Sequence, residues 1–82
     1  MKIIDRFGHP IQVGDRVAYV HRRLNGAPLR LRFGRVERFA PSNMRVQIRP
    51  DHQPILVEYE SYHCVAMEND NPRVTMWLLE NS

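Results

Sequence analysis

The segment LRLRFGRVERF, residues 29–39, contains four arginines among side chains that are otherwise mostly apolar or aromatic. The planar guanidinium of arginine forms paired hydrogen bonds with phosphate oxygens and equally well with carboxylates. This segment could therefore bind a polyanion such as nucleic acid, or its charges could be neutralised by the protein's own acids. The choice depends on which arginines have an acidic partner.

The charge of the chain is divided unevenly along its length. Residues 1–50 contain eleven Lys and Arg against three acids, whereas residues 51–82 contain Arg73 against six acids, and the formal net charge is +3. Eleven of the twelve basic residues are arginine. Such asymmetry indicates either an acidic partner or two parts that neutralise each other once folded.

Two further groups have residue types that could do chemistry. Glu58 and Glu60 fall on one face of an extended strand and could act as general acid and base, but pairing with Arg45 is the expectation. His63 and Cys64 are adjacent, so in a strand they point to opposite faces, and no zinc-site spacing accompanies them. We therefore expect a protein that is not an enzyme, with no metal and no cofactor.

Length and composition limit the class of protein. Eighty-two residues suffice for one small domain, and 43% hydrophobic with 26% charged residues is typical of a globular chain. The single cysteine excludes an intrachain disulfide, and no apolar run exceeds four residues. We expect a soluble cytoplasmic protein without a membrane partner.

Short runs typical of β-strands are separated by turn residues along most of the chain. They predict strands over residues 2–5, 16–21, 29–39, 44–49, 55–60 and 64–67. Gly8 supplies the positive φ of an early turn, and Asn25-Gly26 marks the loop before the long arginine-rich strand. Sequential antiparallel strands in a chain of this size predict an all-β fold, a small five-stranded barrel.

The composition divides the chain into three segments. Residues 1–67 form the predicted barrel with an N-terminal hairpin, residues 68–72 form a polar linker, and residues 73–82 form a C-terminal docking segment. The docking segment is too short to be stable as a lone helix. It is expected to fold back as a last strand against the N-terminal run; alternatively Trp77, with Met76 and Leu78, anchors a partner or a second copy of the chain.

Two motifs resemble a known fold. VGDRVAY at residues 13–19 and FGRV at residues 33–36 resemble the first two strands of SH3-like barrels of the KOW or Tudor type, in which a Gly-Asp turn precedes the first strand. With Asp5, Gly8 and Ile11, the pattern is also similar to the start of many small proteins of bacteriophages and mobile elements. The resemblance implies an SH3-like barrel, and KOW modules are typically associated with transcription and ribosomal proteins, binding RNA or other proteins.

The chain is also similar to the small plasmid-borne dihydrofolate reductases, which are SH3-like, in Gly-Asp-Arg-Val at residues 14–17 and Val-Gln-Ile-x-Pro at residues 46–50. The second motif precedes the acidic strand instead of following it, and Arg49 stands where that family has tyrosine. Because likeness of fold does not establish an activity, a reductase is the weakest of the alternatives.

Hydrophobic alternation allows strand pairing to be predicted. With Val36 facing inward opposite Val46, Glu37 falls opposite Arg45. A four-residue turn after the third strand then brings Glu58 to the other side of Arg45. We therefore expect Arg45 to be neutralised by two carboxylates.

The arginine-rich strand cannot keep all its apolar residues on one face without a shift of one residue. Leu29, Leu31 and Phe33 are at odd positions, whereas Val36 is at an even one. Gly34 lies where the shift is needed, so we predict a β-bulge there. With the odd residues facing inward, the neighbouring arginines point outward with no acid opposite them.

Six arginines are therefore predicted to form a basic patch: Arg22, Arg23, Arg30, Arg32, Arg35 and Arg49. On a nucleic acid they would contact phosphates, and Tyr19, Phe39 or Tyr62 could stack on bases, although Tyr19 is expected in the core. The alternative is a solvated face whose arginine stems cover apolar surface.

These patterns predict a small non-catalytic binding module. The first hypothesis is a nucleic-acid-associated or transcription-related accessory protein that uses the arginine patch on DNA or RNA. The second is a protein-interaction module, such as a phage-encoded protein that binds and modulates a host protein, in which the arginines meet an acidic protein surface. In the second hypothesis Trp77 is the anchor, and a homodimer through its segment would enlarge a small core.

Overall fold

The computed structural model describes residues 2–21, 30–40 and 45–82, and these ranges contain five antiparallel strands and one α-helix. The strands are β1 (Arg16–His21), β2 (Arg30–Ala40), β3 (Arg45–Pro50), β4 (Val57–Glu60) and β5 (Cys64–Ala66). A 3-10 helix (Ser61–His63) joins β4 to β5, and the helix α1 (Pro72–Asn81) follows β5. In the part of the chain so described, no helix has the length and apolarity needed to cross a membrane.

The strands form one curled sheet, a half-barrel, in the order β4-β3-β2-β1-β5. The first half of β2 pairs with β1 and its second half pairs with β3, so this long strand joins the two sides of the sheet. The last strand, β5, returns to lie beside β1. The predicted five-stranded antiparallel sheet is confirmed. From residue 16 onward, the first and last residues of each predicted strand lie within two residues of the observed ones.

Hydrophobic clusters cover both faces of the sheet. The cluster on what we call the inner face includes Val17, Tyr19 and Val36 and draws on all five strands. The cluster on what we call the outer face includes Ala18 and Val65 and is covered by α1. Because consecutive strand residues point to opposite faces, β1 is buried on both sides over its central residues.

The outer cluster removes the reason for a bulge at Gly34. Leu31 and Phe33 face α1 on the outer face, so they do not need to share a face with Val36. Gly34 pairs regularly with β1 and with β3, and the predicted bulge at this position is wrong.

The bulge lies three residues further along β2. The register between β2 and β3 shifts between Val36 and Arg38, which leaves Glu37 as the extra residue. The next hairpin also differs from the prediction, because the turn between β3 and β4 is longer than four residues. Arg45 consequently pairs with Glu60 in the ladder, where Glu58 was expected.

The C-terminal segment is a helix, so the prediction of a last strand against the N-terminal run was wrong. Asn71 caps the helix, because its Oδ1 accepts a hydrogen bond from the Arg73 N–H at 3.0 Å. Pro72 occupies the first turn, where a residue without an N–H is tolerated. Local capping thus favours the helix over a strand.

The helix docks through one side on the outer face of the sheet. Val74, Trp77 and Leu78 are three and four residues apart, which places them on one side of α1, against the outer cluster. Ten residues of helix are marginal alone, so this packing supplies most of the helix's stability. The segment thus packs as a helix on the chain's own sheet.

The buried carboxylate of Asp5 ties the N-terminal turn to the far edge of the sheet. Its Oδ1 accepts hydrogen bonds from the backbone N–H groups of Phe7, at 2.8 Å, and His9, at 2.9 Å. Its Oδ2 accepts from the Ala66 N–H, at 2.9 Å, and from Asn69 Nδ2, at 3.3 Å. One side chain, 2% exposed, therefore holds the N-terminal turn, β5 and the segment before α1 together.

Replacing Asp5 with asparagine should lower the free energy of unfolding by about 2 kcal/mol. The new carboxamide N–H₂ would face N–H groups whose hydrogen bonds the carboxylate oxygen now accepts. Urea denaturation measures the change. Asp15→Asn is the matched control, since Asp15 Oδ2 accepts from the Gln12 N–H at the surface and should cost less. Equal losses in the two variants would contradict the role of Asp5.

Gly34 is required by a close approach of two strands. A Cβ at this position would lie 2.5 Å from the Arg49 carbonyl oxygen and 2.6 Å from Ile48 Cγ2. Gly34→Ala should therefore cost about 2–3 kcal/mol in chemical denaturation, because β3 would have to move. Gly8→Ala has open space but a φ of +81°, and its cost should be about 1 kcal/mol. A loss at Gly34 no greater than at Gly8 would refute the steric explanation.

Candidate nucleic-acid interface

Two of the predicted arginines, Arg30 and Arg32, lie on the inner face of the sheet. The register sets Arg30 opposite His21 and Arg32 opposite Tyr19, and directly opposed residues share a face. Arg30 is exposed, whereas Arg32 is partly buried. The expectation that both point away from the core was wrong, because the apolar residues between them occupy the outer face.

In the described strands the inner face carries no carboxylate. Its residues on the other strands are apolar or aromatic, apart from His21, whose Nδ1 lies 2.9 Å from Tyr59 Oη. All nine acids of the chain fall in the described ranges, and none forms an ion pair with Arg30 or Arg32. These two guanidinium groups therefore form no ion pair with any described residue.

The other two described arginines of the patch lie on the outer face. Arg35 stands opposite Arg49 on one side and opposite Arg16 on the other, so three arginines form a row across three strands. Arg16 Nη2 lies 2.6 Å from Asp51 Oδ2, and Arg49 Nη2 lies 3.1 Å from Glu37 Oε1. The two carboxylates offset the repulsion that adjacent like charges would cause.

The sequence pattern predicted that Arg49 has no acidic partner; it has one, and the bulge is the reason. As the extra residue of the β2–β3 ladder, Glu37 accepts from both Arg49 Nε and Nη2. These hydrogen bonds hold the pKa of the Glu37 carboxyl below its usual value. Arg35, between the two ion pairs, donates from Nη1 to the Gly14 carbonyl oxygen at 3.1 Å.

The expected neutralisation of Arg45 is confirmed, with one partner changed. Arg45 Nη1 lies 3.3 Å from Glu58 Oε2, and Nη2 lies 3.2 Å from Glu60 Oε1. Glu60 takes the place predicted for Glu37. Hydrogen bonds from Gln47 and Arg45 lower the pKa of the Glu58 carboxyl, so both acids of β4 act in cross-strand pairing.

The aromatic residues predicted to stack on bases differ in exposure. Tyr19 is fully buried, which confirms it as a core residue, and Phe39 packs partly buried against the inner cluster. Tyr62 is 53% exposed and is the aromatic of the three with an accessible ring. Arg22 and Arg23 lie outside the described residues.

The predicted anchor residues of the C-terminal segment also differ in exposure. Trp77 is 8% exposed and lies in the outer cluster, so its ring serves the chain's own core, and Leu78 packs beside it. Met76 and Leu79 are 62% and 72% exposed on the opposite side of α1. A groove of about 660 Å³ passes the edge of Trp77 between α1 and β4.

Sequence reasoning missed Arg16 and Arg38 as neighbours of the outer arginines. Arg16 joins Arg35 through the β1–β2 register, and Arg38 shares the outer face through a hydrogen bond to Gln47. Alternation with Ala18 indicates the face of Arg16, but only the register identifies its neighbours.

No group of three or more His, Cys, Asp or Glu within residues 2–21, 30–40 and 45–82 could hold a metal ion. His63 Nδ1 lies 3.4 Å from Glu60 Oε2, while the Cys64 side chain lies in the inner cluster. The two adjacent residues therefore belong to different environments, as their alternation predicted. Burial raises the pKa of the Cys64 thiol to about 12.

Residues 3–72 match the family model of a domain of unknown function, DUF7205. The match covers most of the chain, and the chain belongs to this family. No curated protein and no solved structure matches it significantly. Because the family carries no assigned activity, the function has to be inferred from the arrangement of the side chains.

Cys64 should be almost inert toward Ellman's reagent at pH 8 in the folded protein. A buried thiol with a pKa of about 12 is nearly all protonated at this pH, and only the thiolate reacts. We expect the native protein to react at least roughly 100-fold more slowly than the urea-unfolded chain. A native rate close to the unfolded rate would contradict the position of Cys64 in the core.

Proposed function

We propose that this protein is a small non-catalytic binding module that holds a nucleic acid by arginines on the inner face of its sheet. The observation that carries the proposal is the uneven pairing of the arginines. Arg16, Arg45 and Arg49 each have a carboxylate partner within 3.3 Å. Arg30 and Arg32 have none, so they retain their full charge for phosphates.

The end of the β1–β2 hairpin is the proposed contact surface. His21 and Arg30 are the last residue pair of that hairpin. In the sequence, residues 22–32 contain four arginines and no acid. A contact surface that contains this stretch would carry positive charges and no negative ones, which favours a polyanion as the ligand. Binding of a polyanion by such a surface depends strongly on salt concentration.

We further propose that the half-barrel is an SH3-like barrel of the KOW type. The return of β5 to the side of β1 supports this, since it is the strand order that a small barrel of sequential strands requires. The glycines of both motifs also have structural roles. Gly14 adopts a φ of +92° in the turn before β1, and Gly34 permits the close contact with β3. This fold would relate the protein to modules that bind RNA or other proteins in transcription.

A protein partner is the second candidate, and one observation favours it. Met76 and Leu79 expose large apolar side chains on the free side of α1, and exposed apolar groups of this size are common in protein interfaces. In this alternative the inner arginines would meet an acidic protein surface. Capture from a nuclease-treated lysate separates the candidates, because a stoichiometric protein partner that survives nuclease supports the second.

Replacing Arg30 and Arg32 together with glutamine should weaken binding of a labelled single-stranded oligonucleotide at least roughly 10-fold. The slope of log affinity against log salt should fall in magnitude by about 1.4, because two phosphate contacts to a single strand are lost. Fluorescence anisotropy at several salt concentrations measures both quantities.

The matched control is the double variant Arg6→Gln and Arg73→Gln, which has the same net charge. Arg6 and Arg73 form no ion pair with a described residue and line a groove beside Trp77, which belongs to the outer cluster. Its affinity should stay within about 2-fold of the wild type. Equal weakening in the two double variants would reject the inner face as the binding surface.

A further inference from the structure

The side of α1 that faces away from the sheet is apolar. Pro72, Met76 and Leu79 are four and three residues apart, so they form one stripe along the helix. Met76 and Leu79 are 62% and 72% exposed. The solvent side of a surface helix is normally polar, because the apolar residues are needed where the helix packs on the core. The core side of α1 already holds Val74 and Trp77, so the fold of one chain gives no reason for a second apolar stripe.

Two charged residues lie on one flank of this stripe. Arg73 and Glu80 are seven residues apart, which is about two helical turns, and both are exposed. Neither forms an ion pair with a described residue. The remaining residues of α1 are uncharged. The free side of the helix is therefore an apolar stripe with a positive charge near one end and a negative charge near the other.

Each of these charges lies at the helix end where the helix dipole disfavours it. The unpaired N–H groups make the start of a helix partly positive, and the unpaired carbonyls make its end partly negative. The first turn of α1 contains Arg73 and no acid, and the last turn contains Glu80 and no base. An antiparallel neighbouring helix with the same charges would offset both defects. It would bring an acid to the first turn and a base to the last.

We propose that two copies of this protein form a dimer in which their α1 helices pack antiparallel, stripe against stripe. A two-fold axis midway between Arg73 and Glu80 sets each arginine opposite the glutamate of the other copy. Met76 and Leu79 of both copies then meet between the helices and leave water. A parallel pair would oppose like charges, so the charges select the antiparallel arrangement. The contact lies on the far side of α1 from the sheet, and the inner arginines of both copies stay free.

The dimer should be weak and reversible, because a ten-residue helix offers less area than a standard interface. We expect a dissociation constant on the order of 10–100 µM for so small a contact. Sedimentation velocity of the full chain, between roughly 5 and 500 µM, brackets this constant. A wild type that stays monomeric over this range would overturn the proposal. Binding of a different protein by a monomeric chain through the same stripe would overturn it too.

Charge reversal tests the pairing across the two-fold axis. Arg73→Glu and Glu80→Arg each oppose like charges and should weaken the dimer at least roughly 10-fold. The double variant R73E/E80R exchanges the charges and keeps the net charge, so its dissociation constant should return to within about 3-fold of the wild type. Arg38→Glu is the matched control. Arg38 is an exposed arginine of β2 that lines neither groove beside α1, and its reversal should have less than about a 2-fold effect.

The apolar stripe is tested by Met76→Gln and Leu79→Gln. Glutamine is a good helix former and both side chains are exposed, so below 5 µM each variant should melt within about 2 °C of the wild type. Each should weaken the dimer at least roughly 10-fold, because a polar amide replaces apolar surface that the contact buries. Ile55→Gln is the control, since Ile55 is 69% exposed outside α1, and its dissociation constant should equal that of the wild type.

Two further results would overturn the proposal. A dimer as strong in both Met76→Gln and Leu79→Gln as in Ile55→Gln would show that the chains associate through another surface. A double variant R73E/E80R no stronger than either single reversal would show that Arg73 does not face Glu80 of the other copy. Restored association in the double variant, with both glutamine variants weakened, would support the antiparallel dimer.

Discussion

Burial of both faces of β1 and β2 is the constraint on which the rest of the structure depends. Because α1 covers the outer face, Leu31 and Phe33 can point away from the inner core, and β2 needs no shift of register at Gly34. The arginines of β2 then alternate between faces with their apolar neighbours. The first two face inward and Arg35 faces outward, so a segment that reads as one basic strand supplies two different surfaces.

The covering helix is held in turn by polar contacts at the edge of the sheet. Asp5 joins the N-terminal turn to β5 and to Asn69, and Asn71 caps α1 two residues later. These hydrogen bonds hold the segment between β5 and α1. That segment leads into the helix, whose Val74 and Trp77 pack on the outer cluster. A buried carboxylate with four donors is costly to disturb, because each donor would lose its partner away from water.

The two faces differ in how their charges are balanced. On the outer face, Asp51 and Glu37 neutralise the ends of the arginine row, and Arg45 takes both acids of β4. The inner face has no such acid in the described strands, and its arginines meet a tyrosine and a histidine instead. Among the described residues, the ion pairs that join the positive first part to the acidic second part, Arg16 with Asp51 and Arg45 with Glu58 and Glu60, therefore lie on the outer face. The charge left on the inner face is what an external anion would meet.

The sequence by itself determined the strands from residue 16 onward, the burial of Tyr19 and the neutralisation of Arg45, because alternation and turn residues act locally. It did not determine the face of Arg32 or the partner of Arg49, since both depend on what covers the outer face and on where the register shifts. A helix docked from residues 72–81 and a bulge at Glu37 settle those points, and neither leaves a signal in the strand's own pattern. Side-chain direction has a period of two, so a single displaced residue reverses every assignment after it. For that reason only the tertiary structure decided which arginines are free.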